Sequence, residues 1–175
     1  TQKSPVNESN TTLDIFTLTY DNNYHLKSPS NSLKQNLKTY LNEYKIIGDV
    51  INIKDAFVVN IACDFEIITK PGFNNNEVLL KCINFLRDYF NIDKWKINQP
   101  IILSDIYSLL DNIKGVQTVK NVFITNKTDN GSQYSPYAYD MSSATQNKVI
   151  YPSLDPCIFE LKYPNEDIKG KVVTL

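Results

Sequence analysis

The stretch FVVNIACDFEI, residues 57–67, decides the fold. Its odd-numbered residues are apolar: Phe57, Val59, Ile61, Cys63, Phe65 and Ile67. The even positions include the polar residues Asn60, Asp64 and Glu66. Because successive side chains of a strand point to opposite faces, this alternation predicts a strand with one buried and one wet face. Pro71 and Gly72 follow as a turn that ends it.

Two amphipathic helices are predicted downstream of this strand. The first starts at a capping-box-like pair, Asn74 with Glu77, and runs to about Phe90. Its apolar stripe has helical spacing: Leu79, Cys82, Ile83, Leu86 and Phe90. The second is capped by Ser104 and stops at Gly115, since glycine accepts the left-handed conformation that ends helices. Its stripe is Ile106, Leu109, Leu110 and Ile113.

A returning strand over residues 116–125 completes the order strand, helix, helix, strand. Residues 57–125 are therefore predicted to form a small α+β sandwich whose two helices cover one face of the sheet. The segment 12–56 is predicted as a leading strand followed by a helix. Ser30 or Ser32 caps that helix, and its apolar stripe is Leu33, Leu37, Leu41 and Tyr44. Residues 1–11 are polar and are predicted to be a linker or a mobile end.

The C-terminal part, residues 126–175, is predicted to be a tyrosine-rich loop followed by a loop-rich β region. Residues 126–148 have no regular period. The corners Tyr151-Pro152 and Asp155-Pro156 restrict the backbone and aim the chain that follows. Strands are expected at 150–163 and 168–173. The predicted fold class is thus α+β, a strand-helix-helix-strand sandwich with a C-terminal β assembly region.

Composition and charge exclude several function classes. The chain has 18 basic and 19 acidic residues and a formal net charge of −1, and Arg87 is its single arginine. With no basic surplus, binding to a nucleic acid backbone or an anionic membrane is not expected. No apolar run approaches the length that spans a bilayer. Because the chain begins with Thr1 and not Met, we expect it to be part of a longer protein.

A search for catalytic residue types gives no candidate constellation. His25, the single histidine, lies in a polar segment and is expected to be a solvated turn residue. Asp64 with Glu66 could suggest a glycosidase carboxylate pair, but both are expected on an open sheet face and not in a cleft. The widely spaced Cys63 and Cys82 fit small core hydrophobes better than ligands. We therefore expect no enzymatic activity, cofactor, metal or small-molecule substrate.

Aromatic residues of the C-terminal region form the predicted protein interface. Tyrosine offers a large apolar ring with a polar tip, which suits a subunit contact. The predicted interface residues are Tyr134, Tyr137, Tyr139, Tyr151, Phe159 and Tyr163. Two other interpretations remain: the tyrosines fold onto their own domain, or they stack on sugars in a carbohydrate-binding or adhesion module.

Several motifs resemble a known family over residues 32–175. They are SDIYSLLDNIKGV (104–116), YSPYAYD (134–140), IYPSLDPCIFELKYP (150–164) and DIKGKVV (167–173). In these stretches the chain resembles the C-terminal part of baseplate wedge proteins of T-even-type contractile-tailed phages, within the baseplate J-like family. The resemblance implies an α+β domain and a role that is structural.

The same resemblance implies partners and a location. In that family, two copies of the wedge protein associate with other wedge subunits, and six wedges join into a ring around a central hub. The ring rearranges when the tail contracts. For this chain the resemblance implies a homodimer that contacts other baseplate wedge proteins in the virion, after assembly in the bacterial cytoplasm. It assigns no individual site residue.

Overall fold

The computed structural model describes residues 12–129, 133–152 and 156–174. The chain divides between Ala56 and Phe57 into two compact units. The predicted linker, residues 1–11, lies outside the described residues, as do Asn130, Gly131 and Asp155 of the predicted turns.

The leading unit is built around two parallel strands joined through a helix. Its elements are β1 (Thr12–Thr17), β2 (Thr19–Tyr20), β3 (Leu26–Lys27), α1 (Asn31–Asn42) and β4 (Val50–Asp55). β1 pairs with β4 in parallel, and β2 pairs with β3 antiparallel. The predicted cap of α1 is confirmed as Ser30, whose side chain accepts a hydrogen bond from the N–H of Leu33.

The predicted apolar stripe of α1 is not buried. None of the helix residues is buried, and about half of the Leu33 side chain is exposed. A helix can bury a stripe only against a layer of comparable width, and two strands supply a narrow one. Strand β4 was not predicted, although Ile51 and Ile53 alternate with Asn52 and Lys54 in the pattern of a strand.

The second unit contains the predicted sandwich. Its first elements are β5 (Phe57–Thr69), α2 (Asn75–Tyr89), a short 3-10 helix (Ile92–Lys94), β6 (Ile101–Ile102), α3 (Leu103–Asp111) and β7 (Val116–Asn126). Asn74 caps α2 by accepting from the N–H groups of Asn76 and Glu77, as predicted. Ser104 does not cap α3, because the helix already begins at Leu103. Gly115 has positive φ, +106°, but it lies in the turn before β7. The predicted helix stop at Gly115 is therefore misplaced, because α3 ends at Asp111 with Asn112 as its right-handed C-cap.

The C-terminal region carries two short helices, which were not predicted, and four short strands, the last of which matches the strand predicted at 168–173. They are α4 (Met141–Ala144), β8 (Thr145–Gln146), β9 (Val149–Ile150), β10 (Cys157–Glu160), α5 (Pro164–Asp167) and β11 (Ile168–Val172). The strand predicted at 150–163 is therefore too long. β8 and β9 form a hairpin whose two loop residues, Asn147 and Lys148, both have positive φ, as a type I′ turn requires.

β5 is the central strand of the main sheet. β7 runs antiparallel to it, and the register shifts twice, between Glu66 and Ile67 and between Ile68 and Thr69. The C=O of Asn60 accepts a hydrogen bond from the N–H of Lys127, 2.9 Å away, just beyond the end of β7. Even-numbered residues of β5 thus direct their backbone groups toward β7.

β10 and β11 both pair with the opposite edge of β5. Phe57 N–H donates to the C=O of Pro156 and Val173 N–H donates to the C=O of Ile67, so odd-numbered residues of β5 face both strands. The paired residue numbers differ by 100 in β10, as in Glu160 with Asn60. They differ by 105 in β11, as in Ile168 with Cys63. The two strands therefore act as one edge strand interrupted by an insertion that contains α5.

The core lies between the odd-numbered face of β5 and the two helices. α2 packs on β11 and α3 packs on β7. Val59, Ile61, Cys63, Phe65 and Ile67 are all buried, and so are Val78, Cys82, Leu86, Ile106 and Leu110 of the helices. The predicted α+β fold, with both helices on one sheet face, is confirmed. Gly170 allows the close packing, because a Cβ there would lie 2.4 Å from the Phe65 ring and 2.6 Å from Leu79.

The predicted wet face of β5 is wet only along half its length. Asp64 and Glu66 are half-buried, but Val58, Asn60 and Ala62 are buried. Backbone and side chains of the loop after β7 reach this end of the strand, as Ser135 N–H does in donating to the Asn60 side chain. Periodicity alone gives no sign of this cover, because the covering loop is distant in sequence.

Candidate protein interface

The tyrosine-rich loop is anchored to its own unit by a buried carboxylate. Asp167, at the end of α5, is almost fully buried. Its carboxylate accepts a hydrogen bond from the Tyr134 hydroxyl (2.7 Å) and another from the N–H of Tyr163 (3.0 Å). Burial, together with the hydrogen bond to Asp167, raises the pKa of the Tyr134 phenol. The phenol therefore stays a donor throughout the physiological range.

Asn60 is a second anchor for the same loop. It is 1% exposed and lies beside Glu160, which is 3% exposed. The Asn60 side chain donates to Glu160 Oε2 (2.8 Å) and accepts from the N–H of Ser135 (2.6 Å). Its backbone C=O also accepts from Asn126 Nδ2 (2.9 Å). A buried charge needs such partners to be tolerated, so this network fixes the loop at the start of β5.

Two of the six predicted interface residues are buried within the chain. Tyr139 is 7% exposed and Phe159 is 2% exposed. The Tyr139 ring packs edge-on against Phe159, and its hydroxyl donates to the C=O of Tyr151. The prediction that these two side chains lie at an interface is therefore wrong for this chain. They are core residues on which the tyrosine-rich loop packs.

The remaining four residues differ in accessibility. Tyr134 and Tyr163 are half-buried, and their rings meet edge to face with centroids 5.5 Å apart. Tyr137 is 41% exposed with its ring against Phe57, and Tyr151 is 49% exposed. Within this group, Tyr137 and Tyr151 offer the largest accessible rings.

The geometry of these rings bears on the carbohydrate-binding alternative. A sugar stacks on an open, flat aromatic face, and a groove of coplanar rings would favour such a ligand. The three ring pairs of the region are nearly perpendicular, at 84° for Tyr134 with Tyr163, 89° for Phe57 with Tyr137, and 86° for Tyr139 with Phe159. Among the described residues these pairs form no coplanar platform.

The residues considered for catalysis belong to two different units. On β5, Asp64 pairs in register with Lys169, and Glu66 pairs with Lys171. Glu66 also accepts a hydrogen bond from Asn121 Nδ2 at 2.8 Å. This places both carboxylates on the sheet face, in register with lysines. His25 lies in the other unit, in a tight turn where its Nδ1 is 3.4 Å from Asp21 Oδ2.

The cysteines are confirmed as core residues. Cys63, Cys82 and Cys157 are buried free thiols. Burial raises the pKa of Cys63 to about 12 and that of Cys82 to about 11. A thiol held neutral in this way is a poor nucleophile and a poor metal ligand. Over residues 12–129, 133–152 and 156–174, no group of three or more metal-ligating side chains is assembled.

A larger exposed apolar surface, which was not predicted, lies in the leading unit. Its most exposed members sit in and around the turn after α1: Ile47 is fully exposed, Ile46 is 75% exposed and Tyr44 is 70% exposed. Gly48, with φ +101°, and a hydrogen bond from Asp49 N–H to the C=O of Ile46 close this turn. The sequence could have predicted this exposure, because Ile46 and Ile47 directly precede Gly48 and residues at turns are ordinarily polar.

Further exposed aromatic and aliphatic residues of this unit lie along α1 and the strands. The Tyr40 ring, in α1, and the Tyr44 ring, just beyond its end, pack at an interplanar angle of 53° with their centroids 5.1 Å apart. The turn tip and these neighbours are here called the leading-unit apolar surface: Leu13, Leu33, Tyr40, Tyr44, Ile46, Ile47 and Val50. In contrast, the buried apolar residues of this unit are Pro29, Ile51 and Ala56.

Comparison with known proteins gives no assignment. The sequence matches no family model and no curated protein. No helix in the described part of the chain is long and apolar enough to cross a membrane.

Proposed function

We propose that this chain is a structural assembly subunit that works through protein–protein contacts, and that its assembly is the baseplate wedge of a contractile phage tail. The observation that carries the assembly role is the leading-unit apolar surface, where seven large apolar residues are at least 44% exposed. A concentration of exposed large apolar residues of this kind favours a protein contact. The baseplate assignment itself rests on the family resemblance of residues 32–175.

The two units supply complementary parts of such a role. The second unit has a packed core and a loop held by buried polar anchors, which suits a scaffold that keeps its shape. The leading unit has many exposed apolar side chains, which suits a contact region. Tyr137 and Tyr151 add accessible rings on the second unit. The proposal therefore includes a homodimer, contacts with other wedge proteins and a location in the virion, with no enzymatic activity.

Solution mass across concentration tests the assembly role. We expect light scattering to detect a concentration-dependent dimer for the wild-type chain. Ile46→Ser with Ile47→Ser should weaken it, because these side chains lose the most apolar area that a partner could cover. Tyr137→Ala with Tyr151→Ala tests the second surface separately. Leu80→Ser with Phe85→Ser is the matched control, since both residues are exposed apolar residues of α2.

The outcomes separate the parts of the proposal. A dimer weakened by the Ile46 and Ile47 changes but not by the α2 control supports self-association through the leading unit. A monomer at every concentration removes the homodimer. The baseplate assignment is tested by mass spectrometry of phage particles purified from the culture that produces the chain, and absence of its peptides from intact contractile tails would refute it.

A further inference from the structure

The main sheet has three outer strand edges, those of β7, β10 and β11. The edges of β7 and β10 are capped, which means that side chains from outside the sheet hydrogen-bond to backbone groups that point outward. On β7, the N–H of Val122 donates to the Tyr107 hydroxyl (3.0 Å), and the N–H of Val119 donates to Asp111 Oδ1 (2.9 Å). Both acceptors come from α3. The register shifts of β7 lie in the same stretch and bend the strand. These features block the edge against another strand, as natural sheets commonly do.

The outer edge of β10 is capped by a single asparagine. Asn98 adopts φ +61°. Its side chain accepts from the N–H of Cys157 (2.9 Å), and its own N–H donates to the C=O of Cys157 (2.7 Å). Cys157 faces outward from β10, and both its N–H and its C=O are therefore hydrogen-bonded to Asn98.

Among the described residues, no side chain caps the outer edge of β11 in this way. Because Val173 N–H donates to the C=O of Ile67, residues 169, 171 and 173 face β5, and Gly170 and Val172 direct their N–H and C=O outward. β11 pairs only with β5 in the part of the chain that the structure describes. Gly170 and Val172 are half-exposed, so an incoming strand can reach them.

The side chains of this edge carry positive charge toward solvent. Lys169 and Lys171 are exposed and lie on the sheet face opposite the helices, in register with Asp64 and Glu66. Neither lysine forms an ion pair within 4.0 Å among the described residues. A strand added outside β11 would place its own side chains directly beside them, at cross-strand distance.

The charges of Lys169 and Lys171 determine which kind of strand can pair with the outer edge of β11. In a second copy paired antiparallel about Gly170, Lys169 of each copy would face Lys171 of the other, and like charges directly opposite are destabilising. Lysines on an edge strand are a known device against self-pairing. They have the opposite effect on a strand whose facing residues are acidic, since each new pair is then attractive.

We propose that the outer edge of β11 is a strand-addition site for an extended acidic segment of a different protein. The segment would hydrogen-bond to the outward backbone groups of Gly170 and Val172 and pair its carboxylates with Lys169 and Lys171. Its alternate residues would be apolar, since they would continue the helix-covered face of the sheet. This site is separate from the leading-unit apolar surface, and the proposal does not depend on the baseplate assignment.

Peptide titration of the full chain tests the site. The probes are a synthetic peptide of alternating glutamate and valine and a lysine–valine peptide of equal length. We expect the acidic peptide to bind about tenfold tighter than the lysine one, with amide NMR shifts and slowed hydrogen exchange centred on Gly170 and Val172. Lys169→Glu with Lys171→Glu should reverse the preference. Lys114→Glu with Lys120→Glu, at exposed lysines away from β11, has the same net charge and should leave it unchanged.

A backbone variant separates strand addition from simple charge attraction. Val172→Pro removes an N–H that β5 does not use, so we expect weaker peptide binding with an unfolding midpoint near that of the wild type. Four results would overturn the proposal: no saturable binding of either peptide, shifts that map away from β11, an unchanged preference in the Lys169 and Lys171 variant, or wild-type affinity in Val172→Pro.

Discussion

Residues 57–174 bury the central strand β5 from both sides over much of its length, whereas in residues 12–56 a two-stranded sheet carries a helix with no buried residue. Both units have strands, an amphipathic helix and a sequence rich in Ile, Leu and Tyr. They differ in the number of layers available: two helices cover four strands in one unit, and one helix meets two parallel strands in the other. Apolar content therefore becomes a core only where enough secondary structure surrounds it.

Separating the units should produce the largest effect. We expect a fragment of residues 57–175 to unfold cooperatively on heating, because its core is contained in that fragment. A fragment of residues 1–56 should lack a cooperative transition, since a two-stranded sheet of this size is marginal in water. Circular dichroism melts and amide NMR spectra of both fragments measure this. A folded 1–56 fragment that is monomeric would break the comparison and weaken the assembly role proposed for its exposed surface.

Paired truncations in the two helix–sheet layers should give the next largest effect. Phe65→Ala removes a ring that is 2% exposed beneath α2, and we expect a loss of about 3–5 kcal/mol in the free energy of unfolding. Leu33→Ala removes a side chain of α1 that is 48% exposed, and we expect a loss of about 1 kcal/mol or less. Urea denaturation of the full chain compares the two. If the two variants lose similar amounts of unfolding free energy, Leu33 must contribute more packing than its contacts with the leading unit provide.

The central fold could be predicted because its signals are local. The alternation of residues 57–67, the Asn74 cap and the left-handed Gly115 each specify structure through neighbours a few residues away. The strand β4 carries a similar signal in Ile51 and Ile53, but the run is short. Four-residue elements such as α4 and α5 contain too few residues to express a period at all.

The candidate surfaces could be predicted only in part, because burial depends on contacts distant in sequence. Tyr137 and Tyr139 are separated by one residue, yet one is accessible and the other is covered by Phe159. The cover over Asn60 comes from Ser135, and no periodicity links them. The exposure of Ile47 likewise reflects how little structure surrounds the turn. The burial of Tyr139 and Asn60 follows from contacts within the second unit that composition and spacing do not encode.

The two asparagine–glutamate hydrogen bonds of the main sheet offer a smaller and sharper test. Asn60 and Glu160 are both buried, whereas Asn121 and Glu66 are half-buried, and each pair has an N–O distance of 2.8 Å. We expect Asn60→Ala to cost about 2–3 kcal/mol, because it leaves a buried carboxylate without this partner. Asn121→Ala should cost less than about 1 kcal/mol, since water can replace the lost donor.

Chemical denaturation of the two variants, each compared with the wild type, measures this difference. Amide hydrogen exchange in the loop around Ser135 also indicates whether the loop has detached in the Asn60 variant. Equal costs for Asn60→Ala and Asn121→Ala would mean that the loop does not exclude water from the start of β5. In that case the two units would differ less in how well they exclude water than the burial of their side chains indicates.

Acid sensitivity should give the smallest effect and should differ between the units. In the leading unit, Asp14 of β1 accepts hydrogen bonds from Lys54 Nζ (2.5 Å) and Asn52 Nδ2 (3.1 Å) of β4, and these bonds lower its pKa below 3.8. A lowered pKa means that the ionised carboxyl stabilises the fold above about pH 3.8 and that this contribution is lost as the pH falls through the folded-state pKa.

Because the Asp14 pair joins the two six-residue strands described in the leading unit, we expect amide exchange in β1 and β4, relative to its intrinsic rate, to accelerate as the pH falls below about 3.8, before exchange in β5 does. The Asp14→Asn variant should show this faster exchange already at neutral pH, and added salt should weaken the wild-type pair as screening increases. In the second unit, hydrogen bonds from Ser142 and Ser143 lower the Asp140 pKa to about 2, but Asp140 caps only a four-residue helix. Asp140→Asn is therefore the matched control. If it accelerates exchange in β5 as strongly as Asp14→Asn does in β1, exposed carboxylates are not what distinguishes the two units, and the difference must lie in packing alone.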